Sequence, residues 1–235
     1  MEYLERLRRS NLRSSTQGRL ILVYHKSAFC SLTLCRGSKT GKLFPTGNIT
    51  DFLDGVEATC IDAGNPCVFI QAKDVDVDGT VLPDSLDSNL PLLSKLESIR
   101  LKASVAMGIS KDEASAPQSI PKIAMVAPSK PHKLLSGESI DESTVDLVVR
   151  ALSVGQPHRA VPITVAMAIA VAANIEGSTV YANTSNEHTD IDGITLGHPS
   201  GKIMVGAKFG DSGSLSHATV FRTARRLIDG MVYWK

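Results

Sequence analysis

The chain has 235 residues and a mass of 25.1 kDa, enough for one large domain or two small ones. Its composition, 43% hydrophobic and 21% charged, is typical of a globular protein. Its net charge of +1 gives no long-range electrostatic field that would attract nucleic acid or anionic lipid. No run of about 18 apolar residues predicts a membrane span, and the N-terminus lacks the apolar core of a signal peptide. We therefore expect a cytoplasmic protein.

The four cysteines are Cys30, Cys35, Cys60 and Cys67. They form no CxxC pair, and no nearby histidine completes a zinc pattern, so we predict no metal site. Three of them lie in strand-like runs, where cysteine behaves as a small buried hydrophobe. Because no positive neighbour or helix start is evident that would lower a thiol pKa, we favour reduced core thiols over a catalytic thiol.

The first part of the chain predicts strands separated by turns. Residues 1–18 indicate a helix start and a loose tail, and Arg19–Lys26, dense in β-branched and aromatic residues, predicts a strand with Cys30–Cys35 as its candidate partner. A loop rich in turn-forming residues spans Gly37–Asn48. The next predicted strands are Ala58–Ile61 and Cys67–Gln71.

A helix is predicted after a polar segment that runs to about Asn89. Apolar residues recur every three or four positions from Leu90 to Met107, as an amphipathic helix requires, and Gly108 is a natural residue to end it.

The second half repeats this alternation. A helix from Val161 to Ala173 is apolar almost all round and must therefore be covered on every side. Many strands and one such helix indicate an α+β fold with a curved sheet around a central helix. The other predicted elements are a strand at Pro121–Ala127, a polar loop at 129–139, a strand or short helix at Thr144–Ser153, and strands near Lys202–Phe209, His217–Arg222 and Arg226–Tyr233.

Several segments in order along the chain resemble the PrpF family, which includes 2-methylaconitate, 3-methylitaconate and aconitate isomerases. The resemblance begins near Gly37 and reaches the C-terminus. Its main segments are TGKLFPTGN (Thr40–Asn48), TCIDAGNPCVFIQA (Thr59–Ala72), SVGQPHRAVPITVAMAIAVAA (Ser153–Ala173), HPSGKIMVGAKF (His198–Phe209) and FRTARRLIDGMVYW (Phe221–Trp234).

The resemblance implies the fold of diaminopimelate epimerase, in which two lobes each wrap a β-barrel-like sheet around a central helix. The helix at Val161–Ala173 would be the central helix of the second lobe. The first-lobe motifs of the family are not found, so we expect a complete second lobe and a largely missing first lobe. The expected parts are an N-terminal tail (1–18), first-lobe strands and a connection (19–48), the second lobe (49–216) and returning strands (217–235).

The resemblance also implies a cofactor-independent allylic 1,3-proton shift, a double-bond or cis–trans isomerisation, in a small unsaturated polycarboxylate. Two alternatives stay open: a truncated, inactive homologue that acts as a binding or regulatory protein, and a racemase or epimerase, which is weakened by the missing paired cysteines. A one-lobed chain would also expose an apolar face, which predicts self-association into a homo-oligomer.

Three turns carry candidate binding residues. Asn65, followed by Pro66, offers amide donors and an acceptor at a turn that faces the ligand in epimerase-like folds; the alternative is a plain turn. Just before the apolar helix, Arg159 is suited to grip a carboxylate and His158 to relay protons, unless His158 is structural. In the first turn of that helix, Thr164 can donate a hydrogen bond, cap or pack.

The third turn follows His198. Ser200 together with the backbone amides of Gly201 and Lys202 is suited to bind an anion, the alternative being a hairpin turn.

Overall fold

The computed structural model of the protein describes residues 28–32, 37–211 and 213–222. One compact unit runs from Ser31 to Val220. The strands are β1 (Ala28–Leu32), β2 (Asp51–Leu53), β3 (Val56–Asp62), β4 (Pro66–Gln71), β5 (Lys122–Pro128), β6 (His132–Lys133), β7 (Ser139–Ile140), β8 (Leu147–Ser153), β9 (Gln156–Pro157), β10 (Ile194–His198), β11 (Gly201–Phe209) and β12 (Leu215–Arg222). The helices are α1 (Pro83–Asp87), α2 (Leu90–Ala106) and α3 (Ile163–Ala172), with 3-10 turns at Ala72–Val75, Glu142–Thr144 and Tyr181–Asn183.

One large mixed sheet organises this unit. Its strands follow the order β12–β11–β10–β8–β5–β4–β3–β2, and β9 pairs with the end of β8. The pairs β4–β5 and β8–β10 are parallel, whereas β2–β3, β3–β4, β5–β8 and β10–β11 are antiparallel. Parallel neighbours need a crossover connection, and the two crossovers contain α1 with α2, and α3.

Helix α3 forms the centre of the main core. Every residue from Val165 to Ala172 is buried, as the all-round apolar pattern predicts. Neighbouring strands lie about 4.8 Å apart, so a single helix can contact this many strands only if the sheet curves around it. The strand residues of this core include Ile61, Phe69, Val126, Val149, Leu196, Val205 and Val220, one from each of seven strands.

Helix α2 covers the opposite face of the sheet. Its buried stripe at Leu92, Leu96, Ile99 and Ala103 packs against β2 to β5. The helix begins at the side chain of Asn89, which accepts a hydrogen bond from the amide of Leu92. Its end follows from Gly108, which adopts a φ of 69° that residues with a side chain rarely adopt.

The main elements predicted from the sequence are confirmed, and three details differ. Of the two alternatives for Thr144–Ser153, the structure has the strand, β8; the region predicted as a polar loop at 129–139 instead forms most of the small β6–β7 hairpin. Helix α1 and strand β10 were not predicted, because each is only five residues long. The predictions for 1–18, Arg19–Lys26 and Arg226–Tyr233 lie outside the described residues.

Candidate functional site

One end of the large sheet gathers the segments that the sequence singles out. Strands β4 and β5 both begin there, because they are parallel. Strand β8 is antiparallel to β5 and ends there, and β9 returns along it with Pro157 opposite Leu152. The Asn65 turn, which precedes β4, and the loop at 156–159 therefore lie at the same end of the sheet.

A buried carboxylate fixes the turn that contains Asn65. Asp62 is fully buried. Its oxygens accept hydrogen bonds of 2.9–3.0 Å from the hydroxyls of Ser38 and Thr40 and from the amides of Lys39 and Thr40. Hydrogen bonds to an ionised group offset the cost of burying it. Asp62 thereby holds the 37–43 loop against the turn, a role that the sequence analysis did not identify.

Asn65 itself is half-buried, and its side-chain amide makes a weak hydrogen bond. Its amide lies 3.5 Å from the carbonyl oxygen of Pro66, at the limit of a hydrogen bond. Gly64 before it has a φ of 86°, which explains the glycine at this point of the turn.

His158 lies at the edge of the main core. Its backbone amide donates a 2.8 Å hydrogen bond to the carbonyl of Ala151 in β8. Its ring Nε2 is shut off from solvent and has no hydrogen-bond partner among the described residues. Burial, together with the charge of Lys122, lowers the pKa of His158, so the imidazole is neutral at pH 7 and can accept a proton.

A hollow of about 460 Å³ lies beside this loop. Arg159 extends along it with 66% of its side chain exposed, and its guanidinium lies 3.7 Å from the carboxylate of Asp84. At that distance and exposure the pair is weak, so the guanidinium is available to an anion. The hollow is lined by Pro83, Asp84, Asp87, Gln156, Pro157, His158 and Arg159.

The hairpin between β10 and β11 contacts the same loop. The hydroxyl of Ser200 donates a 2.6 Å hydrogen bond to the carbonyl of Arg159. The Ser200 amide is already used, because it donates to Nδ1 of His198. Gly201 pairs with His198 and Lys202 with Gly197 in the ladder. The backbone is thus that of a hairpin turn, and the exposed Ser200 and Lys202 side chains are its polar groups.

Helix α3 begins without a side-chain cap. Pro162 occupies the N-cap position and makes no capping hydrogen bond, and the first turn contains no acidic residue. Thr164, half-buried in that turn, therefore does not cap the helix. The uncapped first-turn amides and the helix dipole favour an anion at this point.

The family model described as PrpF protein matches residues 26–235. The chain belongs to the PrpF family.

Relatives of this PrpF chain include named isomerases. It is 41% identical over 202 residues to a 2-methyl-aconitate isomerase of Shewanella oneidensis, a match that covers 82% of this chain and 50% of that protein. It is 36% identical over 205 residues to a 3-methylitaconate isomerase of Eubacterium barkeri, with 84% and 53% covered. A crystal structure of methylitaconate-delta-isomerase superposes with a TM-score of 0.76 at 34% identity, covering 84% of this chain and 52% of that one. The chain spans about half the length of these relatives.

The structure brings some of the predicted site residues of the PrpF chain together and places others apart. It joins Ser200 to Arg159 beside His158, and it places Asn65 at the same end of the sheet but not in the lining of the hollow. Lys122, the first residue of β5, was not among the residues that the sequence singled out. A single lysine at the start of an apolar strand gives no signal, and only the strand register shows what lies beside it.

The described thiols of the PrpF chain are unsuited to act as nucleophiles or bases. Cys60 and Cys67 are free and buried, and burial raises the pKa of Cys67 to about 12, so its thiol stays protonated. The described part of the chain has no cluster of acidic, histidine or cysteine side chains that would hold a metal ion. None of its described helices combines the length and apolarity needed to cross a membrane.

Proposed function

We propose that this chain contributes one lobe of an isomerase that moves a carbon–carbon double bond in a small unsaturated polycarboxylate. The 2-methyl-aconitate and 3-methylitaconate isomerases among its relatives support this substrate class. The observation that carries the proposal is that His158, whose Nε2 has no hydrogen-bond partner among the described residues, and Arg159, whose guanidinium is largely exposed, line one hollow.

The proposed reaction is an allylic 1,3-proton shift. A base removes a proton from the carbon next to the alkene, and the electron pair of that C–H bond spreads over the allyl unit and its carboxylate. The same proton or another then returns to the far end of the allyl unit. Because such a C–H group is a weak acid, the site must supply a positioned base and donors for the dienolate charge.

Different described residues are the candidates for the base and for the groups that bind the negative charge. His158 is the candidate acid and base, since its neutral ring can take a proton and return it. Arg159 binds a carboxylate, assisted by the uncapped start of α3. The side chains of Ser200 and Lys202 at the hairpin with Gly201, and of Asn65 beside Pro66, provide further polar contacts. Thr164 contributes at most a hydrogen bond.

The proposed architecture places the site in a cleft between two lobes. The curved sheet around α3 supports an epimerase-like lobe over about residues 49–216, with the substrate bound where this lobe faces a second one. The 37–43 loop held by Asp62 would then lie in the connection between lobes. The site at the end of the sheet is consistent with such a cleft.

The experiment is deuterium exchange into trans-aconitate in heavy water, followed by proton NMR, with titration calorimetry for binding. We expect enzyme-dependent exchange at allylic positions, reduced roughly 10- to 100-fold in Arg159→Met, the loss expected for one charge-assisted contact. Lys133→Met, which removes a cation from β6, is the matched control. Unchanged exchange and affinity in Arg159→Met would remove this role, and binding without any exchange would favour an inactive binding protein.

A further inference from the structure

Lys122 projects from the site end of β5 onto the face of the sheet that covers α3. Side chains alternate along a strand, and Ala124 and Val126, the next residues on the same face, belong to the α3 core. Lys122 is half-buried and lies opposite Cys67 of the parallel strand β4.

The ammonium of Lys122 has no ion pair within the described residues. Lys122 pairs with Cys67 of β4 on one side, and on the other side β8 pairs with β9, which His158 follows directly. The positive charge of Lys122 disfavours the protonated form of both the Cys67 thiol and the His158 ring. A half-buried cation without a counter-ion loses hydration without an electrostatic gain, so its position favours an anionic ligand.

His158 lies on the same face of the sheet as Lys122. Its amide bonds to the carbonyl of Ala151, and directly opposite residues of an antiparallel pair share a face. Ala151 belongs to the α3 core, so the His158 ring lies on that side, where its Nε2 has no partner among the described residues. A cation without an ion pair and an imidazole nitrogen without a hydrogen-bond partner, both judged among the described residues, therefore lie on the same face of the sheet near the end where β5 begins.

We propose that Lys122 binds the substrate carboxylate that is conjugated with the reacting carbons, next to His158, which takes the proton. This inference rests on the proposed function and extends it to a residue that no motif indicated. As the C–H bond breaks, its proton goes to the imidazole of His158 and its electron pair spreads into the carboxylate held by Lys122. The imidazolium then returns the proton to the far carbon, so no other reactant is needed.

A carboxylate-binding Lys122 would also select substrates by their number of carboxylates. Lys122 on β5 and Arg159, the residue after His158, are two cationic groups at the same end of the sheet. A molecule with two or more carboxylates can engage both, whereas a monocarboxylate engages one and leaves the other unpaired. The acidic groups facing this area, Asp84 and Asp87 of α1, line the hollow beside Arg159 and add repulsion for a loosely held anion.

The test uses the full chain with Lys122→Met, Lys122→Arg and the control Lys133→Met. Calorimetry with trans-aconitate should show a roughly 10- to 100-fold weaker affinity for Lys122→Met, little change for Lys133→Met, and partial retention for Lys122→Arg. Affinity for the monocarboxylate crotonate, whose single carboxylate is the conjugated one, should also fall in Lys122→Met. Equal affinities of Lys122→Met and Lys133→Met for trans-aconitate would overturn the proposal.

Two readouts separate this inference from the isomerase proposal. The first is the NMR titration of His158 without substrate: removing the neighbouring cation in Lys122→Met should raise the His158 pKa, because that charge disfavours the imidazolium. The second needs no variant: the Lys122 side-chain NMR signal of the wild-type chain should shift when trans-aconitate is added. An unmoved Lys122 signal at saturating trans-aconitate would refute the binding role, whether or not the chain exchanges protons.

Discussion

The hydroxyl of Ser200 donates a 2.6 Å hydrogen bond to the backbone carbonyl of Arg159, although 41 positions separate the two residues. This bond ties the β10–β11 hairpin to the loop that precedes α3. It therefore fixes the backbone from which the Arg159 guanidinium extends, and it links two of the three turns that the sequence singled out.

Ser200→Ala should loosen this loop without removing a charge. We expect a loss of about 1 kcal/mol in the free energy of unfolding, the usual contribution of one hydrogen bond, and weaker trans-aconitate binding because Arg159 is less well positioned. Urea denaturation and calorimetry measure the two effects. Ser136→Ala, in the turn between β6 and β7, is the control. If trans-aconitate binds Ser200→Ala as tightly as the wild type, the hairpin does not position Arg159.

Asp84→Asn should strengthen anion binding at the hollow. Asp84 is 79% exposed and lies 3.7 Å from Arg159, so it competes with an incoming carboxylate and repels it. Exposed pairs of this kind contribute up to about 1 kcal/mol, which predicts a roughly two- to five-fold lower dissociation constant for trans-aconitate. Asp74→Asn removes an exposed carboxylate elsewhere and should have no effect. A weaker affinity in Asp84→Asn would show instead that Asp84 helps to orient Arg159.

Asp54 links the β2–β3 hairpin to α2 through two lysines. Lys95 donates a 2.9 Å hydrogen bond to its carboxylate, and Lys102 contacts the other oxygen. The bonds to Lys102 and then Lys95 hold the pKa of Asp54 well below its usual range. Because the folded pKa is lowered, this stabilisation is present above the unfolded value of about 4 and is lost as the pH falls through the folded value.

Asp54→Asn should therefore unfold at a lower urea concentration than the wild type at pH 7, and the difference should shrink as the pH is lowered below about 4. Glu57→Gln, which removes an exposed carboxylate from the same hairpin, is the matched control. A difference between Asp54→Asn and the wild type that stays constant from pH 7 to pH 3 would contradict the ion-pair explanation.

The thiols of Cys60 and Cys67 should not react in the folded chain. Both are buried, and burial raises the pKa of Cys67 to about 12, so little thiolate exists at pH 8. Iodoacetamide at pH 8 should label neither residue in buffer and both in concentrated urea, as peptide mass spectrometry can show. Rapid labelling of Cys67 without urea would mean that the end of the sheet opens readily.

The sequence predicted the elements whose own pattern is strong. The period of Leu90–Ala106, with Asn89 before it and Gly108 after it, specified an amphipathic helix and both of its ends. It did not predict β10, because Ile194–His198 is five residues long and includes Gly197. A strand of this kind gains its stability from the neighbours β8 and β11, which no local pattern encodes.

Some residues of the candidate site could be predicted from the sequence, and others could be recognised only in the structure. Asn65, His158, Arg159 and Ser200 stood out because their segments resemble those of a family. Lys122 did not stand out, and neither did the role of Asp62 in holding the 37–43 loop, because each acts on residues distant in sequence.

The amino-acid sequence by itself determined that a helix apolar almost all round must be enclosed by other elements, since exposing Val165–Ala172 to water on any side would be unfavourable. Only the tertiary structure decided which polar groups meet at the end of that core. The shared sheet face of Lys122 and His158, and the hydrogen bond between Ser200 and Arg159, follow from strand register and sheet curvature. These depend on how the whole sheet closes around α3, and no single segment specifies them.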